Sequence, residues 1–190
     1  MEHVLQPILE YPATLGSLDG ARYASVALIF QQTRSALELL VIKRATREGD
    51  PWSGQMAFPG GKIDSTDKDA RSAAEREVLE EVGFTLSKSA YVGRLDDTVA
   101  RVPDIPSVVL SAFVYLVPSP VLLDLNEEVA EALWVPLSRF TDPSYSADFQ
   151  HPRMSNSLMP AVRLSDSDQH IFWGLSYRVM EAFWKAAGEV

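Results

Sequence analysis

The sequence predicts an α/β protein, a mixed sheet with helices packed on its faces, and three features point to it. Apolar, β-branched runs at 23–31 (YASVALIFQ), 36–43 (ALELLVIK) and 107–117 (SVVLSAFVYLV) have the length and composition of strands. Between the second and third runs, Ala70, Ala74, Val78 and Val82 recur at four-residue spacing, the signature of a helix over 66–82. A second helical pattern, about 174–187, closes the chain, with Leu175, Val179, Ala182, Phe183 and Ala186 as its buried side.

Taken in order, residues 1–20 hold Pro7, Pro12, Gly16 and Gly20 and read as an irregular arm. The polar break Gln32-Thr33-Arg34-Ser35 makes the first two runs a hairpin. Residues 44–56, with Gly49, Asp50-Pro51 and Gly54, read as a loop leading into Phe58-Pro59-Gly60-Gly61. Ser65 or Thr66 is placed to cap the first helix, Asp67 and Asp69 suit its positive end, and Gly83 stands where a left-handed terminator belongs. Further strands are expected near 90–96 and 131–136, with short ones at 161–164 and 170–172. Pro103 and Pro106 mark 98–106 as a loop, and 138–160, polar and with prolines of its own, gives little sign of regular structure.

A length of 190 residues suits one domain. No cysteine is present, which excludes a disulfide framework, a thiol nucleophile and Cys-ligated zinc, and three scattered histidines (His3, His151, His170) disfavour a His-based metal site. A net charge of -9 disfavours a nucleic-acid binder. Neither a signal peptide nor a membrane-spanning run is visible, so the expected location is cytoplasmic, with no membrane partner.

The chemistry concentrates in Arg76-Glu77-Val78-Leu79-Glu80-Glu81-Val82-Gly83-Phe84. Residues three and four apart share a helix face, so Glu77, Glu80 and Glu81 are expected to converge, with Arg76 placed to pair with Glu80. Converging carboxylates repel, and hard divalent cations with oxygen ligands remove that cost. A solvated charged face is the ordinary meaning of such a stretch. Here the helix follows a Gly-Gly turn, which lets backbone approach a ligand closely, and it ends at Gly83. No Asp-rich twelve-residue loop of the EF-hand kind is present.

The run from Gly61 to Phe84 resembles the Nudix box, in which a glycine and an acidic residue lead to Arg-Glu-apolar-any-Glu-Glu-any-Gly-apolar. Arg76 through Phe84 match every fixed position; Asp67 stands where the box has Glu, and eight residues rather than seven separate it from Arg76. The box covers 24 of 190 residues, and Trp134-Val135-Pro136-Leu137 resembles a strand segment common in the family. The resemblance implies an α/β/α sandwich, Mg²⁺ or Mn²⁺ as cofactor, a small nucleotide as substrate and hydrolysis of its diphosphate. It implies Glu77, Glu80 and Glu81 as metal ligands, joined by a backbone carbonyl of Gly60 or Gly61, with Arg76 supporting them. Glu81 or Glu128 would serve as general base. Families of this kind are commonly homodimeric. A Nudix-shaped binding module that has lost catalysis is the competing class, and three intact carboxylates have no use in it.

Leu39-Leu40, Arg44 and Gly54 ahead of Phe58-Pro59-Gly60-Gly61, the acidic pair Asp64 and Asp67, and Phe172-Trp173-Gly174-Leu175-Ser176 resemble the coenzyme A pyrophosphatase subgroup. Asp50 occupies the place where that signature has a second arginine. Other nucleoside diphosphate compounds, such as ADP-ribose or a nucleotide sugar, are the alternative. Candidate substrate contacts are Arg44, Arg47, Trp52, Lys62 and Arg101, because guanidinium groups bind phosphate in pairs of hydrogen bonds and an indole stacks on adenine. Trp134 and Trp173 are expected in the core.

Overall fold

The hairpin expected from the first two apolar runs is formed by β1 (Arg22–Gln32) and β2 (Leu37–Arg44), antiparallel, with Phe30 opposite Leu39 and Gln32 opposite Leu37. The computed structural model describes residues 2–49, 52–102, 105–151, 158–166 and 169–189. Around the hairpin the main sheet adds β3 (Met56–Ala57), β4 (Gly60–Lys62), β5 (Tyr91–Arg94), β6 (Thr98–Val102), β7 (Ile105–Val117) and β8 (Val129–Pro136). Its central path runs β3-β2-β1-β7-β5; β4 also lies beside β1, β6 beside β7 and β8 beside β2. β1 and β7 are parallel over ten residue pairs, and every other pairing is antiparallel. A parallel pair needs a crossover, and that crossover carries α1 (Ala70–Val82).

Strand alternation divides the core. Ala27, Ile29, Leu40, Ile42, Phe113 and Tyr115 face α1 and pack on Ala74, Val78 and Val82. Leu28, Phe30, Leu39, Val41, Ala112 and Val114 face the other way, onto Val179, Met180, Phe183 and Ala186 of α2 (Gly174–Ala187). The central strands are buried on both faces, which is why they read as continuous apolar runs rather than alternating ones. The result is the expected α/β/α layering around a mixed sheet. A second sheet of β9 (Ser146–Phe149), β10 (Met159–Arg163) and β11 (Ile171–Trp173) feeds Phe172 into the core, edge-on to Phe58 and Phe140 at 5.4 and 5.3 Å. Trp173 is buried and Trp134 is half-buried against the α1 cluster.

Several local expectations are corrected. The stretch expected as a loop at 98–106 contains β6, because Thr98, Val99 and Ala100 pair with Leu110, Val109 and Val108, a nonlocal gain that the prolines obscure. Pro103 lies outside the described residues and Pro106 belongs to β7. The 44–56 loop and the turn after it contain the short strands β3 and β4. The 138–160 stretch holds a 3₁₀ turn at Pro143–Tyr145 and β9, with 152–157 outside the described residues. No helix among the described residues is long and apolar enough to cross a membrane.

The arm is built into the fold. Two 3₁₀ turns, Glu2–Val4 and Gln6–Glu10, bury Leu5 and Ile8, and a side chain on Gly93 would collide with the Ile8 carbonyl. Asp96, expected at the end of a strand, and Asp97 after it instead clasp the arm. The Asp96 carboxylate accepts from Tyr11 Oη (2.8 Å), the Thr14 N–H (2.7 Å) and Lys185 Nζ of α2 (2.7 Å). Asp97 accepts from the Gly16 N–H at 2.8 Å and from Arg94 Nη2 at 2.8 Å.

Burial acts to raise the Asp96 carboxyl, but the bonds from Lys185, Thr14 and Tyr11 outweigh it and hold the group at about 2, against an ordinary 3.8. A carboxyl depressed in the folded state contributes stability that is whole above the unfolded value and lost as pH falls through the folded one. Asp96→Asn is therefore expected to cost about 1–2 kcal/mol at pH 7, with the difference from wild type shrinking between about pH 4 and pH 2. Thermal melts of both proteins across that range measure it; a pH-independent difference would assign the loss to packing instead.

Candidate active site

The site is assembled from the two ends of α1 and the turn before it. The helix starts at Ala70, four residues later than expected, because Asp69 rather than Ser65 or Thr66 is the cap. Its side chain accepts the Ser72 N–H at 2.8 Å, and Ser72 Oγ accepts the Asp69 N–H at 2.9 Å, a capping box. Asp67 is thus freed from the helix. Its carboxylate accepts the Asp64 N–H at 2.8 Å and takes Arg76 in a fork, Nε and Nη2 each at 3.0 Å. The Arg76 bonds, then the Asp64 N–H, hold Asp67 below the usual carboxylate range.

Arg76 extends that fork to the other acidic groups. Nη1 donates to Glu77 Oε1 at 2.9 Å and to Glu80 Oε2 at 3.1 Å, while Nη2 also reaches the Lys62 carbonyl at 3.2 Å. Glu77 and Glu81 turn inward over the Gly60–Gly61 turn. Glu80, with its side chain 53% exposed, is held outward by Arg76, so two of the three expected carboxylates converge and the third is tethered beside them. Among the described residues no three His, Cys, Asp or Glu side chains form a closed metal cluster.

The Gly-Gly turn meets these groups at close range. β4 pairs with β1 so that Val26 faces Gly60 and Ser25 faces Gly61. The bonds from Ala27 N–H to the Pro59 carbonyl (2.9 Å) and from Ile63 N–H to the Tyr23 carbonyl (3.0 Å) set the alternation. By that alternation Gly61 turns its N–H and C=O into the ladder, and Gly60 turns its own outward. The outward Gly60 N–H donates to Glu81 Oε2 at 2.8 Å. Gly60 has φ of 150°, and a Cβ there would overlap the Ser25 carbonyl; a Cβ on Gly61 would fill the space held by the Glu77 carboxylate. Of the two carbonyls expected as cation ligands, the ladder favours Gly60 over Gly61.

Burial, above all, raises both inward carboxylates. Glu81, 2% exposed, is pushed up to about 8 by burial, against the opposing Gly60 N–H and with Glu77 and Glu128 adding repulsion. Glu77 is raised by burial despite Arg76, with Glu80 and Glu128 again repelling. Oxygen donors with a backbone that leaves room beside them form a donor set that fits a hard divalent cation, which would offset this cost.

The far end of α1 brings in Glu128. Gly83 closes the helix at φ 78°, and the returning chain bonds to the last turn through Asp124 N–H to the Val82 carbonyl (3.0 Å) and Asn126 N–H to the Glu81 carbonyl (3.2 Å). Asn126 Oδ1 accepts the Glu128 N–H at 2.8 Å, and the Glu128 carboxylate pairs with Arg47 at 3.1 Å. Arg44, at the end of β2 opposite Val129, acts on Glu81 through its charge. Arg44, Arg47 and Glu128 therefore gather near the acidic helix. Trp52 sits half-buried in the turn before β3, its carbonyl accepting the Gln55 N–H. The Lys62 ammonium points outward, 78% exposed and 3.6 Å from Asp64, so Lys62 contributes its carbonyl instead. Arg101 is exposed on β6, with β1 and β7 between it and β4. Asp50 lies outside the described residues. The Asp67–Arg76 fork and the Asn126 bridge were not legible in the sequence; the displaced acidic residue ahead of Arg76 was the only trace of the first.

A family profile for the NUDIX domain matches residues 21–157. The chain is 30% identical over 163 residues to an uncharacterized Nudix hydrolase, NudL, of Photorhabdus laumondii, covering 85% of this chain and 83% of that one. It is 25% identical over 162 residues to a probable nudix hydrolase of Schizosaccharomyces pombe (85% and 55%), and 41% identical over 117 residues to an uncharacterized protein of the same yeast (59% and 36%). It thus spans only about a third to a half of the length of these two yeast relatives. In fold it is similar to a MutT/nudix family protein from Enterococcus faecalis, TM-score 0.63 at 16% identity, covering 91% of this chain and 64% of that one. The NUDIX domain of Shewanella oneidensis NrtR, solved with ADP ribose, matches with TM-score 0.53 at 20% identity (64% and 76%). The chain belongs to the Nudix family, whose hydrolases act on phosphoric anhydrides and generally use divalent metal ions.

The two glycines are expected to respond differently to a methyl group. Gly60→Ala meets backbone and should cost at least ~2 kcal/mol in denaturant unfolding. Gly61→Ala meets first the end of the Glu77 side chain, which can shift, and should melt near wild type while Mn²⁺ affinity falls on the order of tenfold or more. Equal Mn²⁺ binding by Gly61→Ala and wild type would remove Glu77 from the candidate cation ligands.

Proposed function

We propose that the protein is a divalent-cation-dependent pyrophosphohydrolase that cleaves the diphosphate of a nucleoside diphosphate linked to another group, with coenzyme A or a derivative as the favoured substrate. The packing of the Glu77 and Glu81 carboxylates against the Gly60–Gly61 turn is the observation that carries this reading. Glu77, Glu80 and Glu81, with the Gly60 carbonyl, are the residues that would hold the cation. A cation so bound supplies Lewis acidity to a phosphoryl oxygen.

The chain's own groups divide the remaining work. Arg76, anchored on Asp67, keeps the carboxylates in position while remaining positively charged. Glu81, 2% exposed and bonded to the Gly60 N–H, is less well placed to meet water than an exposed carboxylate, which supports a ligand role. Glu128, 43% exposed and on the loop facing both inward carboxylates, is better suited to accept the proton of an attacking water. Arg44 and Arg47, beside Glu128, are suited to the negative charge of a substrate phosphate. The preference for coenzyme A rests on the sequence likeness of Leu39-Leu40, Arg44, Gly54 and Phe172-Trp173-Gly174-Leu175-Ser176 to that subgroup.

Glu80→Gln and Glu81→Gln are each expected to fold and to lose turnover by a factor on the order of 10²–10⁴, and wild type to be silent in EDTA. The test is a product screen with Mg²⁺ and with Mn²⁺ on coenzyme A, acetyl-coenzyme A, ADP-ribose, nucleotide sugars, dinucleoside polyphosphates and nucleoside triphosphates. Release of 3′,5′-ADP from the coenzyme A compounds alone supports the reading. Turnover confined to another compound would keep the chemistry and replace the substrate. Silence throughout would favour a binding module.

A further inference from the structure

Ser25 lies within β1 with 0% of its surface exposed, and its Oγ has no hydrogen-bond partner among the described residues. A buried hydroxyl without a partner is disfavoured relative to an alanine methyl in the same space, so the groups within its reach are the place to look for a role. Alternation fixes where the hydroxyl points. Ala27 and Ile29 face α1, and β1 runs beside β7 without a register break, so Ser25 faces α1 as well.

Its neighbours across the sheet are Ser111 on β7 and Gly61 on β4. Ser111 Oγ is already engaged, accepting from Arg94 Nη2 at 2.9 Å. On the other side the absent side chain of Gly61 leaves a gap that the Glu77 carboxylate enters: a Cβ there would lie 2.5 Å from Oε1 and 2.9 Å from Oε2. Side chains directly opposite in an antiparallel pair have Cβ atoms about 4.5–5.5 Å apart. The Ser25 hydroxyl, fully buried, and the Glu77 carboxylate, partly buried, therefore flank one and the same gap.

We propose that Ser25 is a positioning residue for Glu77: its hydroxyl donates to the Glu77 carboxylate when that carboxylate turns from Arg76 to a divalent cation at the Gly60–Gly61 turn. The inference rests on the reading of Glu77 as a cation ligand. A carboxylate offers about four lone-pair sites, enough for a cation and a fixed donor together. Partners in the layer behind a ligand set its orientation, and losing one costs roughly 10–100-fold in metal affinity.

Mn²⁺ alone, titrated into the full chain and followed by the electron paramagnetic resonance signal of the free ion, tests this, with metal-free melting curves beside it. Ser25→Ala is expected to melt at or above wild type and to bind Mn²⁺ roughly 10–100-fold more weakly. Ser25→Thr, folded by the same melting criterion, should keep affinity within a few-fold because it keeps the hydroxyl. Wild-type affinity in Ser25→Ala overturns the proposal. So does a lowered melting temperature in Ser25→Ala, which would make Ser25 a packing residue, or an equal loss of affinity in folded Ser25→Thr. Glu77→Gln separates the two levels: if it binds Mn²⁺ like wild type, the ligand reading itself fails, whatever Ser25 does.

Discussion

The acidic centre depends on how tightly the Gly60–Gly61 backbone is held between β1 and α1. On one side Gly60 lies so close to Ser25 and Val26 that no side chain can stand there; on the other, Gly61 gives up the volume that the Glu77 carboxylate occupies. Two glycines in sequence let a strand of three residues lie flat on β1 and leave its outer edge to a helix. A backbone edge of this kind offers the Gly60 N–H to Glu81 and, two residues further, the Lys62 carbonyl to Arg76. The helix is thus tied to the strand through side chains of α1 that bond to main-chain groups of β4.

Charge is distributed around that contact in layers. Arg76 joins Asp67, Glu77 and Glu80, so the four form one connected group rather than four surface charges. Glu81 stands outside that group, buried and raised to about 8, with the Gly60 N–H donating to it. Unpaired buried carboxylates are costly, and proteins retain them where function uses them. The same tension appears at Ser25, a buried hydroxyl on the same face. Polar groups left unsatisfied at one end of an otherwise apolar layer mark where packing yields to chemistry.

Away from the centre the fold is held by conventional means. Two apolar layers, one on each face of the sheet, enclose the central strands, and the arm adds Leu5 and Ile8 to the layer beneath α2. Asp96 and Asp97 tie that arm to α2 and to β5 by hydrogen bonds across some eighty residues of sequence. The sheet is consequently braced on the side opposite the acidic helix, and the helix on its own side is free to be specialised.

By itself the sequence determined the elements whose signal is local. The long strands stand out as apolar runs, α1 and α2 as four-residue repeats, the first ended by Gly83, and the acidic face as three glutamates at helical spacing. What depends on residues far apart in the chain was decided only by the tertiary structure. Strand β6 hides behind prolines until Val109 and Val108 pair with it, and Asp67 reads as a helix residue until Arg76 draws it out. Which of three glutamates turn inward follows from where the Gly60–Gly61 edge lies, and the setting of Ser25 from which residue stands opposite. Periodicity is written along the chain, whereas hydrogen-bond partners and burial are set by register, and register exists only once the strands have met.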